Sequence, residues 1–310
     1  MAKILVTGGA GFIGSNFCNA MAQKGHEVVA FDDLSLGKTE NLSDKVRFVK
    51  GDVNKKEDLE KAGRDFDYIV HLAASSSAPM FARDMYWAYQ NNVAGHIRVM
   101  QFAHEIGAKK MLFASTSSIY GNNPTPLTED QEVTPPNHYS VTKFAQEGAS
   151  RVYNKAEGLE IIAFRFMSVY GLNEGHKTTF ANLVSQFIWD MARDVEPVLY
   201  GDGTQERDFT NAKDVVQGIE LAMNTDKKYG FEIFNIGTNK CINLVDLVGL
   251  INRAMGKSIK PKFIENPVKE GYVKSQLADI GKISGELGYK PTVELEDGIR
   301  EIVENLQKQK

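Results

Sequence analysis

Tyr139 and Lys143 stand four residues apart in the run Tyr139-Ser140-Val141-Thr142-Lys143. That spacing sets both side chains on one face of a helix. An ammonium beside a phenol favours the phenolate and draws its pKa below the ordinary value of about 10. A tyrosine so tuned exchanges protons with a substrate hydroxyl near neutral pH. The same chain opens on Gly8-Gly9-Ala10-Gly11-Phe12-Ile13-Gly14. Glycines at 8, 11 and 14 follow an apolar run and open a helical one, so backbone amides and a helix N-terminus can face a pyrophosphate. The two motifs together carry more than either alone.

The elements that must position these groups follow from the apolar pattern. Residues 3–6 are a short β-type run ending in glycines, residues 15–24 read as a helix closed by Gly25, and residues 28–31 as a second strand. Further β-type runs lie at 46–49, 68–72, 110–114 and 161–165, with helical patterns between most of them. Strands alternating with helices predict an α/β fold with a doubly wound parallel sheet of the Rossmann kind. The strands are apolar on both faces, as helices on both sides of a sheet require. Right-handed crossovers then set the loops after the strands along one edge. Beyond about residue 165 the alternation weakens, and loop-like segments such as 171–175 and 201–203 interrupt shorter elements. The expected division is a dinucleotide-binding domain over 1–165 and a smaller C-terminal α/β substrate subdomain over 166–310. Residues 214–223 and 233–236 are suited to return a helix and a strand to the first sheet.

Composition narrows the partners. A chain of 310 residues holds a sizeable core, and 36 basic against 40 acidic residues leave no positive excess to neutralise phosphates. Neither nucleic acid nor an anionic membrane is expected. Cys18 and Cys241 are far apart and form no CxxC, no apolar run reaches the roughly 18 residues of a membrane span, and the first strand begins without a cleavable apolar segment. The expectation is a soluble protein in a reduced, cytoplasmic compartment. The histidines are scattered without ligand spacing, so no metal is expected.

Asp32 lies 18 residues beyond Gly14 at the end of the second strand, near the roughly 20 that place an acid on a ribose. A carboxylate there accepts from the ribose hydroxyls and repels a 2′-phosphate. NAD is therefore expected in preference to NADP. Asp33 strengthens the repulsion, while Lys38 leaves NADP a small opening. Asp52 and Val53 follow the third strand and either bracket an adenine or cap the next helix. His71-Leu72-Ala73-Ala74 ends the fourth strand with small residues that let backbone approach a ribose, His71 itself being structural.

Ala114-Ser115-Thr116-Ser117-Ser118-Ile119-Tyr120-Gly121 follows the fifth strand, so Thr116 should emerge at the sheet edge, where a hydroxyl can bridge substrate and tyrosine. With these residues the chain resembles the extended short-chain dehydrogenase/reductases, in their nucleotide-sugar epimerase and dehydratase group. The resemblance covers essentially the whole chain. It rests on Gly8 to Gly14, Asp52-Val53, His71 to Ala74, Ser115-Thr116, Tyr139 with Lys143, and Tyr200-Gly201-Asp202-Gly203 leading to Arg207-Asp208-Phe209. It implies that Thr116, four residues before Tyr120, is catalytic, that Tyr139 is the base and Lys143 its partner, and that Lys143 also holds the nicotinamide ribose. Asn91 matches an asparagine that orders the cofactor pocket.

Within that resemblance the residues after Thr116 discriminate reactions. Similar 4,6-dehydratases carry aspartate and glutamate there, because eliminating water needs an acid and a second base. Decarboxylases of nucleotide-linked glucuronate carry glutamate at the second position. This chain has Ser117 and Ser118. What the resemblance leaves is reversible oxidation without elimination, of the UDP-glucose 4-epimerase type, with UDP-hexose as substrate and NAD as cofactor.

For the second half the resemblance implies Asn182, Val198 and Tyr200 beside the nucleotide base and Arg207 on the diphosphate, a task that suits a forked guanidinium. A salt-bridged surface arginine is the competing view. The second phosphate-binding arginine is replaced by Lys269, which keeps the charge and loses the fork. Ser168 stands where glucose/galactose epimerases commonly carry asparagine and hexuronate epimerases a small hydroxyl residue. Glu174-Gly175-His176-Lys177 is similar to the segment of heptose 6-epimerases whose lysine is a second acid/base. Hexuronate 4-epimerase and heptose 6-epimerase are thus the alternatives, and a catalytically silent NAD-binding regulator, which would usually lose the tyrosine and lysine, is the competing class. Family analogy further implies a homodimer through helices around 91–106 and 140–153.

Overall fold

The protein is described from a computed structural model over residues 1–267 and 272–308. Six strands come from the first half: β1 (Lys3–Thr7), β2 (Glu27–Asp32), β3 (Arg47–Lys50), β4 (Tyr68–His71), β5 (Lys110–Thr116) and β6 (Ile161–Phe166). A further strand, Phe231–Ile236, pairs with β6. Together they form a seven-stranded parallel sheet in the order Phe231–Ile236, β6, β5, β4, β1, β2, β3. The winding reverses between β1 and β4, and such a switch point opens a crevice at the C-terminal ends of the strands.

Period-two alternation splits the strand side chains between two cores. Ile4, Val6, Val28, Ala30, Ile162 and Phe164 face one side, where helix Phe12–Gln23 packs through Phe17, Cys18 and Met21 and helix Ala212–Asn224 through Val215, Ile219 and Met223. Leu5, Val29, Phe31, Ile161 and Ala163 face the other, against Leu59 of helix Lys56–Ala62 and Val99, Met100, Phe102 and Ala103 of helix Gly95–Glu105. The second half thus supplies both a strand and a covering helix to the sheet. Its remaining elements surround a third core of Val184, Phe187, Ile188, Leu199, Leu247, Ile251, Ile299 and Val303. Among the described residues that core carries only two-stranded pairings, including Ser168–Tyr170 with Phe209–Asn211 and Val198–Tyr200 with Lys262–Ile264.

Helix His138–Glu157 departs from the usual pattern of an apolar buried stripe. Its buried positions are Ser140, Thr142, Lys143, Gln146, Glu147 and Ser150, all polar. Buried polar groups are tolerated when hydrogen-bonded: Ser140 pairs with Asn137 at the helix cap, Thr142 and Gln146 with Asn92 in the turn Gln90–Ala94, Ser150 with His96 of helix Gly95–Glu105, and Lys143 and Glu147 with Ala114 and Ser115 of β5. Directional bonds fix this helix more narrowly than apolar contact alone would. Among the described residues no helix is long and apolar enough to cross a membrane.

Candidate active site

The crevice is a cavity of about 430 Å³ along the C-terminal strand ends. Beyond β1 the chain turns at Gly8 with φ of 69°, in the left-handed region where glycine is favoured. A Cβ on Gly14 would stand 2.0 Å from the Gly8 carbonyl oxygen, so the helix can start this close to the turn only without one. Gly11 is the cap of helix Phe12–Gln23 and brings no side chain to it. Its first amides therefore stay open to an anionic ligand. At the end of β2 the buried Asp32 carboxylate accepts from the Ala10 amide at 3.1 Å and the Leu34 amide at 2.8 Å. Burial raises its pKa and these amide bonds oppose the rise. Gly8, Gly11, Phe12, Ile13, Gly14, Asp32, Asp33, Val53, Leu72, Ala73, Ala74 and Asn91 all line the cavity.

Asp52 does not. Its Oδ1 accepts from both the backbone and side-chain nitrogens of Asn54 at 2.9 Å, in the turn before helix Lys56–Ala62. Asp52 fits neither reading open for it: it is not on the cavity wall, and the helix cap is Lys55, so its carboxylate closes a local turn instead. His71 is also turned away, with Nδ1 2.7 Å from Thr7 Oγ1 in a wholly buried setting that pushes its pKa down to about 3. It stays neutral.

On the other wall, Thr116 ends β5 in extended conformation and its Oγ1 accepts from the Ser118 amide at 3.1 Å. Asn137 caps helix His138–Glu157 through a reciprocal capping box with Ser140, an arrangement worth about 1 kcal/mol. The cap fixes where Tyr139 leaves the first turn. Tyr139 and Lys143 lie on the cavity side of that helix and line the cavity with Thr116. The Thr116 hydroxyl neighbours the Tyr139 phenol and favours its charged form, and the Phe81 ring lies 6.2 Å from the Tyr139 ring.

The ionisation differs from what the spacing implies. Burial raises the Tyr139 phenol above its ordinary pKa, and the neighbouring Thr116 hydroxyl only opposes the rise. The Lys143 hydrogen bonds go elsewhere: its Nζ donates to the Ala114 carbonyl at 2.8 Å and to Gln146 Oε1 at 3.2 Å. Burial brings Lys143 down to about 7, with the nearby Glu147 carboxylate opposing. An ammonium acidifies a neighbouring phenol only while it remains charged. Burial itself destabilises that cation.

Sequence reasoning missed several groups at this site. Gln276 lines the cavity, donates from Nε2 to Ser117 Oγ at 3.1 Å and accepts at Oε1 from Ser168 Oγ at 3.2 Å. Asn92, beside Asn91 in a π-helical turn over Gln90–Ala94, accepts from the Ser75 amide at 2.7 Å and donates to Thr142 Oγ1 at 2.9 Å. A π turn is itself often a mark of a functional site. Ser168, Asn182 and Lys177 also line the cavity. Asn182 caps helix Leu183–Ala192, and Lys177 sits 3.4 Å from the buried Glu174 carboxylate and 5.5 Å over the Phe12 ring.

Val198, Tyr200 and Arg207 stand apart from the cavity lining and belong to the third-core lobe. Arg207 Nη1 donates to the Glu206 carbonyl at 2.7 Å and the Lys274 carbonyl at 3.2 Å, and Nη2 donates to the Val273 carbonyl at 2.7 Å. The guanidinium lies 5.8 Å from the Tyr272 ring, which also neighbours Tyr200 at 6.1 Å. It is not the salt-bridged surface arginine of the competing view, since its partners are carbonyls. Lys269 lies outside the described residues. Among the described residues no group of three or more His, Cys, Asp or Glu could hold a metal ion.

An uncapped helix N-terminus over a glycine cradle, a buried ribose-type carboxylate and a Thr-Tyr-Lys set on the facing wall define a Rossmann-fold nicotinamide-dinucleotide enzyme. A model of the NAD dependent epimerase/dehydratase family matches residues 4–237. The chain is 32% identical over 303 residues to a putative UDP-glucose 4-epimerase of Methanocaldococcus jannaschii, covering 97% of each chain. Among solved structures, UDP-glucose 4-epimerase of Thermotoga maritima with UDP-glucose is 31% identical with a TM-score of 0.92, over 99% of both chains. UDP-glucuronic acid 4-epimerase of Bacillus cereus, with UDP-glucuronic acid and NAD, is 31% identical with a TM-score of 0.89, over 99% of this chain and 100% of that one. The chain belongs to the NAD dependent epimerase/dehydratase family, and NAD is its cofactor. Open amides and a buried carboxylate on this cavity wall are chemically suited to a pyrophosphate and a ribose.

Proposed function

We propose that this enzyme inverts carbon 4 of a UDP-linked hexose of the glucose/galactose type. The observation that carries the reading is the meeting of Thr116, Tyr139 and Lys143 on the wall of the cavity that the glycine cradle and Asp32 also line. The chemistry NAD supplies when bound is a reversible hydride exchange at the substrate carbon. Tyr139 Oη takes the proton of the 4-hydroxyl on oxidation and gives it back on reduction, with Thr116 holding the same oxygen. With that exchange, a sugar free to turn in the cavity between loss and regain of its proton at Tyr139 would be inverted at carbon 4. The positive charge needed to lower the raised Tyr139 pKa comes from protonated Lys143 once ligand is bound. Ser117 and Ser118, which bring neither acid nor base, support a cycle without elimination.

A second reading has its own support. Lys177 lines the same cavity, which suits a heptose 6-epimerase with Lys177 as second acid/base. Ser168, also lining it, suits a hexuronate 4-epimerase. Incubation with a panel of nucleotide sugars and proton NMR of the products tests all three. Interconversion of UDP-glucose and UDP-galactose is expected, and inversion of only a hexuronate or a heptose overturns the first reading.

We further propose a homodimer. Ile97 on helix Gly95–Glu105 and Val141, Phe144 and Val152 on helix His138–Glu157 are exposed apolar residues on the two helices that the family analogy names. Light scattering should give twice the chain mass, and a monomer refutes this assembly.

A further inference from the structure

The polar stripe of helix His138–Glu157 carries an ion pair that the Thr116, Tyr139 and Lys143 assignment leaves unused. Glu147 lies one helical turn beyond Lys143. Its Oε1 accepts from Ser115 Oγ at 2.6 Å and Arg165 Nε at 3.0 Å, and its Oε2 accepts from Arg165 Nη2 at 2.8 Å. Glu147 and Arg165 are each 3% exposed. Ser115 precedes Thr116 on β5, and Arg165 faces Ser115 in register on β6. The Arg165 guanidinium also lies 4.8 Å over the ring of Tyr120, which closes the turn Ser117–Tyr120. One pair therefore ties the helix of Tyr139 and Lys143 to the strand end of Thr116 and the turn after it.

Stability alone gives no reason for such a pair, because apolar residues of similar volume commonly stabilise a buried site as well or better. We propose that Glu147 and Arg165 are positioning residues for the hydride-transfer site, setting Thr116 against Tyr139 and fixing the net charge that Lys143 faces. The inference rests on the reading of Tyr139 and Lys143 as the proton-transfer pair. The groups facing Lys143 are Tyr139 and Glu147 on its own helix, His71 from β4, His96 from helix Gly95–Glu105 and, through Glu147, Arg165 from β6. Burial holds both histidines neutral. Within this set Glu147 is the anion that keeps Lys143 protonated, and Arg165 decides how much of that charge Lys143 feels.

The test is the pH dependence of kcat/KM for Arg165→Met, Glu147→Gln and the double variant Glu147→Leu/Arg165→Met, with melting curves to establish folding. Loss of the Arg165 charge should move the alkaline limb upward by about one pH unit, and loss of the Glu147 charge should move it downward by about one. The double variant should fold, place its limb between the two, and retain a kcat about tenfold below wild type because Thr116 is no longer tied to the helix. A purely structural pair would lower kcat or Tm without separating the limbs. Coincident limbs in folded variants, or a double variant with wild-type kcat, overturn the proposal. Should Arg165→Met not fold, Glu147→Gln, which can keep hydrogen bonds to Ser115 and Arg165, and the double variant carry the comparison. Tyr139→Phe distinguishes the two layers: a fully active Tyr139→Phe removes the proton-transfer reading itself, whereas an inactive one with unmoved limbs in the pair variants removes only this inference.

Discussion

The glycine cradle and the Arg207 cluster could both meet phosphate, yet they are prepared for it differently. In the cradle, the open amides of helix Phe12–Gln23 have no side-chain cap to displace. Arg207 has spent its guanidinium on the carbonyls of Glu206, Val273 and Lys274. It sits on the two-residue strand Glu206–Arg207, outside the large sheet. A preorganised group binds without paying to break existing bonds, and an occupied one does not. The cofactor half is therefore ready-made, whereas a diphosphate at Arg207 requires exchange of partners.

Variants can break or sharpen this contrast. Replacing Tyr139 with Phe should lower kcat by about 10² to 10⁴-fold while NAD affinity, read by calorimetry, stays within a factor of two or so. A joint loss would mean that the two walls of the cavity are not separable. Next in size, Gly14→Ala should weaken NAD binding by more than about tenfold, because a Cβ 2.0 Å from the Gly8 oxygen must push the cradle open. Wild-type affinity in a folded Gly14→Ala protein would show that the cradle is pliable rather than preformed. For Arg207→Ala the expected result is a KM for nucleotide sugar raised about tenfold with kcat nearly unchanged, the pattern of lost uniform binding. An equal fall in kcat would give Arg207 a role in the transition state and erase the contrast.

The smallest effect concerns stability and pH. Lys143 is held at about 7 in the folded chain, below its value of about 10.4 in an unfolded one. The unfolded state then binds more protons between those limits, so the destabilisation from this group is full below about 7 and is relieved as pH rises toward 10. Relative to Lys143→Met, the wild-type Tm should climb across that window by a few degrees. A constant difference in calorimetric scans would mean that the lysine titrates normally.

Much of the ready-made half was legible because its signals are local. Gly8 to Gly14 lie between a strand and a helix, Asp32 ends the next strand, Thr116 ends β5, and Tyr139 and Lys143 share one helical face. Spacing along a single element is enough to read these. Gln276 carried no such signal, since its partners Ser117 and Ser168 are 159 and 108 residues away in the chain. Asn92 was passed over for its neighbour Asn91, because the π turn that buries one and opens the other to the cavity cannot be read from the pattern. Asp52 shows the converse, a motif residue that a local turn claims.

Sequence alone settled which residues stand at the strand ends and on which helical face, since period-two and 3.6-residue repeats are properties of the chain itself. Folding decided what state those residues are in. Lys143 is pulled toward neutrality, the phenol of Tyr139 is pushed up rather than down, and the helix residue Glu147 is held by an arginine from a strand. Ionisation depends on how much water is excluded around a group and which charges are packed against it, and both are set by distant segments brought together only in three dimensions.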